Sequence, residues 1–183
     1  MKNWHLDRSW TLFLDRDGVI NERLMGDYVK HSDEFVLLPG VAKSIAKANK
    51  LFSHVFVVTN QQGIGKGIMT ERNLSEIHSY CSELLEAENA HVDRYYFAPN
   101  LASENSPLRK PNSGMAILAK QEFPAIDFNK SIMVGDSDSD IEFGRKLGMK
   151  TVFIKHEGVL EHGTADLTCD SLESFINLLN YDV

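Results

Sequence analysis

Five short runs of almost purely apolar, β-branched and aromatic residues recur along the chain, separated by stretches with helical spacing. They are Thr11–Leu14, Val55–Val58, Ser131–Val134 and Thr151–Ile154, with Val92–Phe97, third in order and interrupted by Asp93 and Arg94, the weakest of the five. A strand with one wet face alternates apolar and polar residues. A run that stays apolar needs cover on both faces, as parallel strands do. Between the runs, Val41, Ile45, Ala48 and Phe52 form one helical stripe. Thr70 can cap a helix whose inner stripe is Leu74, Ile77, Cys81 and Leu84. Another helix is expected over Gly114–Phe123, before Pro124, and a further one with Ile141 and Leu147 inward and Gly148 as its C-cap. Asp170-Ser171-Leu172-Glu173 resembles a capping box that opens a last helix through Leu179. The order β-α-β-α-β-α-β-α-β plus a terminal helix predicts an α/β chain: an open parallel sheet with helices on both faces.

With 183 residues and a hydrophobic fraction of 43%, the chain suits one domain over residues 1–183 with a real core. Disorder and a disulfide-stapled mini-protein are excluded. A formal charge of -7 without a Lys/Arg run argues against sequence-independent nucleic-acid binding. Cys81 and Cys169 show no zinc spacing, and the seven histidines (His5, His31, His54, His78, His91, His156, His162) show no ligand spacing. No apolar stretch approaches the roughly 20 residues of a membrane helix, and no secretory h-region is visible. A cytoplasmic protein with no membrane partner is expected. Residues 16–38 and 98–112 exceed the usual loop length and follow strand ends, where open α/β sheets bind ligands.

Chemistry concentrates at those strand ends. The first strand runs into Asp15-Arg16-Asp17-Gly18. Two carboxylates at i and i+2 aimed into one cleft repel unless they share a proton or a cation, so a divalent metal is the economical partner. A solvated acidic turn is the plain alternative. The second strand ends in Thr59-Asn60-Gln61-Gln62-Gly63, a hydroxyl and amides suited to phosphate oxygens. Arg109-Lys110 stands before a helix start, unfavourable unless an anion is there. The fourth strand runs into Asp136-Ser137-Asp138-Ser139-Asp140. An EF-hand fails because Ile141 and Leu147 replace the required Gly and Glu, so these carboxylates are expected to join the Asp15/Asp17 cleft. Gly63-Ile64-Gly65-Lys66-Gly67 departs from a P-loop at its first glycine and at its Ser/Thr.

These four motifs, in this order on these strand ends, resemble the haloacid dehalogenase (HAD) superfamily of phosphohydrolases. The resemblance covers Thr11 to about Ile154. It implies a three-layer, Rossmann-like (HAD-like) fold and a nucleophilic Asp15 that forms an aspartyl-phosphate. Asp17 would be general acid and then base, and Thr59 and Lys110 would hold the transferring group. Mg²⁺ would be ligated by the Asp15 carboxylate, the Asp17 backbone carbonyl and Asp136, with Asp140 supporting that loop. Superfamily pumps carry Thr at the Asp17 position, so Asp17 favours a phosphomonoesterase.

Neither long gap holds a cap domain, so residues 16–38 and 98–112 would select a small phosphorylated metabolite. Asp15-Arg16-Asp17-Gly18-Val19-Ile20-Asn21, Tyr28-Val29, Pro39-Gly40-Val41, Thr59 to Ile64 and Arg109-Lys110-Pro111 resemble the histidinol-phosphatase and heptose-bisphosphate phosphatase branch, with Gly67-Ile68-Met69-Thr70 nearer the heptose enzymes. By that analogy Asn60, Gln61 and Gln62 line the phosphate end, and Arg109 contacts the distal part of a bisphosphate. Phe97–Leu108 lacks the three cysteines and the histidine with which many branch members bind zinc, so no zinc is expected. Ser137 replaces a substrate-touching Lys often present in heptose enzymes. A monomer is expected. The competing readings are a histidinol-phosphate phosphatase, a nucleic-acid 3′-phosphatase and a non-catalytic phospho-ligand binder.

Overall fold

The computed structural model describes residues 4–155 and 164–179. All five expected strands form: β1 (Thr11–Leu14), β2 (His54–Asn60), β3 (Arg94–Ala98), β4 (Ser131–Gly135) and β5 (Lys150–Ile154). A sixth, β6 (Leu167–Cys169), was not expected. It is three residues long, and its Leu-Thr-Cys reads as loop until it pairs with β5. The strands are all parallel in the order β3-β2-β1-β4-β5-β6. That order reverses between β1 and β4, the crevice where doubly wound sheets bind ligands.

The helices are α1 (Val41–Leu51), the short α2 (Gln62–Gly65), α3 (Glu71–Glu86), α4 (Gly114–Glu122), α5 (Asp138–Lys146) and α6 (Leu172–Leu178). Strand periodicity decides which side chains meet which layer. Leu12, Leu14, Val55, Val57, Ile132 and Val134 face a core built with α1, α3 and α6. Phe13, Phe56, Val58 and Met133 face the other core, against α4 and Phe143 of α5. Thr70 caps α3 through a reciprocal box with Asn73. The last capping box sits one residue later than the sequence suggests: Ser171 is the N-cap and Ser174 its partner, not Asp170 and Glu173. A hydroxyl pair closes this box as well as an acid would, so type alone misplaces the register. α5 stops in a Schellman turn, in which Gly148 (φ 76°) donates to Arg145 O at 3.1 Å and Met149 to Gly144 O at 3.0 Å.

Candidate active site

β1 and β4 are hydrogen-bonded neighbours, with Leu14 opposite Val134, so the residues that follow them share the switch point. Asp15 N–H donates to Val134 O at 2.9 Å, and Asp136 stands one residue beyond the end of β4. Oxygens of Asp15, Asp136 and Asp140 lie within 4.8 Å of one another, all three residues buried. Burial pushes the Asp15 carboxyl upward; Lys110 pulls it down, but Asp140, Asp136 and Asp17 push it up again, and it ends raised. Asp136 is raised by burial and by Asp140, against the pull of Arg23 and Lys110. Three carboxylates this close call for a cation.

Glycines allow the approach. Gly18 turns at φ 89°, and a Cβ there would stand 2.0 Å from Asp136 Oδ2; at Gly135 a Cβ would stand 2.1 Å from Asp140 Cβ. The cradle and its hard oxygen donors fit a divalent ion.

Lys110 is the resident cation. Its buried Nζ donates to Asp15 Oδ1 at 2.7 Å and to Val58 O at 2.7 Å, and lies 2.6 Å from Asp140 Oδ1. Burial disfavours its charge, yet Asp140 and Asp15 hold its pKa above the ordinary lysine value. The anion that balances it is not one at the helix start, as its position in the chain suggests. Lys110 lies ahead of the N-cap Ser113 of α4 and is neutralised by carboxylates across the sheet. Asp140 Oδ2 accepts from Ser137 N and Oγ in the capping box of α5, and its Oδ1 lies against the Lys110 ammonium. Asp140 thus ties Lys110 to the loop that opens α5.

Asn60 clamps the Lys110 main chain, accepting from its N–H at 2.9 Å and donating to its carbonyl at 3.1 Å. Gln61 does not line the cavity, contrary to its expected role at the phosphate end. Its buried Nε2 donates to Asp17 Oδ2 at 2.8 Å and Thr59 Oγ1 at 2.9 Å. Thr59 Oγ1 thereby accepts from Gln61 and lies on the cavity wall. Asp17 also accepts from Asn21 Nδ2 at 3.0 Å and from the Arg16 guanidinium. Burial pushes the Asp17 carboxyl up, but Arg16 and these hydrogen bonds outweigh it and hold it below the ordinary carboxylate range.

A cavity of about 400 Å³ opens over this floor, lined among others by Asp15, Asp17, Thr59, Asn60, Gln62, Arg109, Lys110 and Asp136. A family model described as HAD-hydrolase-like matches residues 107–173. A D-glycero-alpha-D-manno-heptose-1,7-bisphosphate 7-phosphatase of Mycobacterium bovis is 35% identical over 170 residues, 91% of this chain and 90% of the relative. A D-glycero-D-manno-heptose-1,7-bisphosphate 7-phosphatase of Chlorobaculum tepidum is 33% identical over 82% of this chain and 80% of its own. The crystal structure of a D,D-heptose 1,7-bisphosphate phosphatase from B. bronchiseptica, complexed with magnesium and phosphate, superposes with a TM-score of 0.82 at 26% identity, covering 92% of this chain and 96% of that one. The chain belongs to the haloacid dehalogenase superfamily. It is a phosphatase of that family.

In this HAD phosphatase the loop before Lys110 is held by its own polar groups. Arg109 N donates to Ser106 O at 3.1 Å, Asn112 Nδ2 to Ser106 O at 3.0 Å and Gly114 N to Pro107 O at 2.9 Å. Arg109 reaches Asn100 O at 3.3 Å and faces the cavity, half-buried. Sequence reasoning missed Arg23, whose Nη1 donates to Asp136 Oδ2 at 3.0 Å, and Lys66, which donates to Tyr28 Oη at 3.0 Å. Both line the cavity. The length of segment 16–38 was the only signal for Arg23, and the near-P-loop drew attention away from Lys66. His156 and His162 lie outside the described residues.

Proposed function

We propose that this phosphatase hydrolyses a phosphoric monoester of a small sugar bisphosphate, D-glycero-D-manno-heptose 1,7-bisphosphate, through an aspartyl-phosphate on Asp15. The observation that carries the reading is the buried Lys110 ammonium between Asp15 and Asp140, beside Asp136, on the floor of an open cavity. Related enzymes named for that substrate at 33–35% identity support the choice of sugar.

A carboxylate oxygen of Asp15 attacks phosphorus while the ester P–O bond breaks. Lys110 and the Thr59 hydroxyl hold the phosphoryl oxygens, which is the main task in phosphoryl transfer. Asp17 rests ionised; an arriving anion raises its proton affinity, so it can pass a proton to the leaving oxygen and afterwards take one from water. Water then attacks phosphorus and Asp15 is regenerated. Asp15, the Asp17 carbonyl and Asp136 would hold Mg²⁺, which supplies positive charge for the phosphoryl oxygens, as the magnesium in the B. bronchiseptica structure suggests. Arg109 would take the second phosphate, with segments 16–38 and 98–112 selecting the sugar. Unpaired, buried Cys81 and Cys169 suit a reducing cytoplasm, and none of the described helices is long and apolar enough to cross a membrane.

The test is Mg²⁺-dependent phosphate release from heptose 1,7-bisphosphate and from histidinol phosphate, with Asp15→Asn as the blank. A strong preference for the bisphosphate is expected. Comparable weak rates on both would refute the sugar assignment, and turnover by Asp15→Asn would refute the nucleophile.

A further inference from the structure

The largest fully buried side chain of the described chain is a charged one, Arg16, between the two aspartates of the first motif. Burying a guanidinium is costly unless it is paired. Arg16 continues the parity of Leu12 and Leu14 and so points into the layer of α3, away from the cavity into which Asp15 and Asp17 open. Its Nη2 donates to both Asp17 oxygens, at 2.8 and 2.9 Å, with Nε at 3.3 Å from Oδ1. Its Nη1 lies 3.5 Å from His78 Nε2 on α3. Burial, with the Arg16 charge, pushes the His78 pKa down to about 3, so the ring is neutral and presents a lone pair to Arg16. His78 in turn stacks on Tyr95 of β3 at 4.4 Å, and the Tyr95 hydroxyl meets Ser82 Oγ at 3.2 Å. No catalytic role is assigned to Arg16, His78 or Tyr95 in the reaction above.

Asp17 is thus tied from three sides: by Arg16 behind it, by Asn21 across the turn and by Gln61 from the end of β2. Turning its carboxylate would break all of these contacts. We propose that Arg16, backed by His78, is a positioning residue that fixes the Asp17 carboxylate toward the water that attacks the phosphoryl group on Asp15. It deepens the reading above and rests on its aspartyl-phosphate. In that step the water oxygen bonds to phosphorus and the bond from phosphorus to the Asp15 oxygen breaks. The water proton passes to Asp17, and Asp15 leaves as a carboxylate. A misplacement of about 1 Å in such a group costs on the order of 10²-fold in rate.

The test uses p-nitrophenyl phosphate, whose leaving group needs no proton, in rapid-quench assays of the wild-type protein, Arg16→Met and Asp17→Asn. With Arg16→Met the first half-reaction should survive and the second slow by roughly 10²-fold. A burst of nearly one equivalent of nitrophenolate should appear, kcat and KM should fall together, and acid-quenched protein should carry a phosphoryl group by mass. Arg16→Met turning over at the wild-type rate, or slowing without a burst, while Asp17→Asn shows the burst, would overturn the positioning role. Asp17→Asn showing no burst would instead overturn the base role on which it rests. Arg16→Lys, which keeps the buried charge, and His78→Leu, which removes only the backing ring, should each give a smaller burst. If Arg16→Met does not fold, these two variants decide the matter in its place: a burst supports the positioning role and its absence overturns it.

Discussion

Lys110→Met is the sharpest test of the electrostatics that organise the site. Methionine keeps the apolar stem and removes the charge that lies 2.7 Å from Asp15 and 2.6 Å from Asp140. Three buried carboxylates would remain within 4.8 Å of one another, with the half-exposed Arg23 on Asp136 as the nearby counter-charge. Removing one partner from a buried pair costs about 3–5 kcal/mol. Protonation of a carboxyl can relieve part of that, so about 3 kcal/mol is expected without metal. In a chain of this size each kcal/mol moves Tm by about 2–4 °C, giving a fall of about 6–12 °C.

The pH dependence has a definite sign. Asp15 is already raised to about 7 against the pull of Lys110, and without that pull it rises further. Between the ordinary carboxylate range and the raised value, the folded state binds a proton that the unfolded state does not. Stability therefore increases as pH falls through the raised pKa. Thermal unfolding in chelator should show a larger deficit near about pH 8 than near about pH 5.5. Millimolar Mg²⁺ at about pH 8 should restore part of it, because a ligand of the folded state alone stabilises it. An unchanged Tm, or a deficit independent of pH, would refute the charge-balance argument.

Further outcomes are expected elsewhere in the site. Arg109→Ala should raise KM for a sugar bisphosphate by roughly 10-fold or more and that for the monophosphate much less, since losing a charge-assisted contact costs about 1.5–3 kcal/mol; equal effects in parallel steady-state assays would remove its role at the second phosphate. Gly18→Ala places a methyl 2.0 Å from Asp136 Oδ2 on a residue at φ 89°. It should lower stability by about 1–3 kcal/mol and weaken Mg²⁺ binding measured by calorimetry; unchanged binding would mean the close approach does not shape the metal cradle. Asp15→Asn should abolish phosphate release yet melt no lower than wild type in chelator, because it removes one of the repelling charges. A marked destabilisation would show that Asp15 contributes more through Lys110 than it costs by repulsion.

The parallel sheet could be read from residues because its signal is local. A run such as Leu12-Phe13-Leu14 is apolar on both faces whatever lies elsewhere in the chain, and Thr70 caps α3 with a residue three places away. Asp15 and Asp136 directly follow β1 and β4, and Thr59 and Asn60 close β2, so these motifs carry a local signal, whereas Arg109-Lys110 comes eleven residues after β3 and reaches the cleft only through the fold. Where the sequence carried less information, the contact decided. β6 exists because Leu167–Cys169 finds an edge of β5, and the last capping box closes on Ser171 and Ser174 because two hydroxyls meet there.

By itself the sequence determined the strand-and-helix rhythm, the acidic and phosphate-binding ends of the strands, and the family to which they belong. Tertiary structure alone decided which of those ends meet. Asp15 and Asp136 are far apart in the chain yet share one cleft, because β4 enters the sheet beside β1 and the strand order reverses there. It also decided that Gln61 turns to Asp17 and Thr59 while Gln62 faces the cavity, and that Arg16 runs back to His78. Periodicity fixes which face of its own element a residue occupies, but the partner on that face is set by the packing of segments remote in the chain.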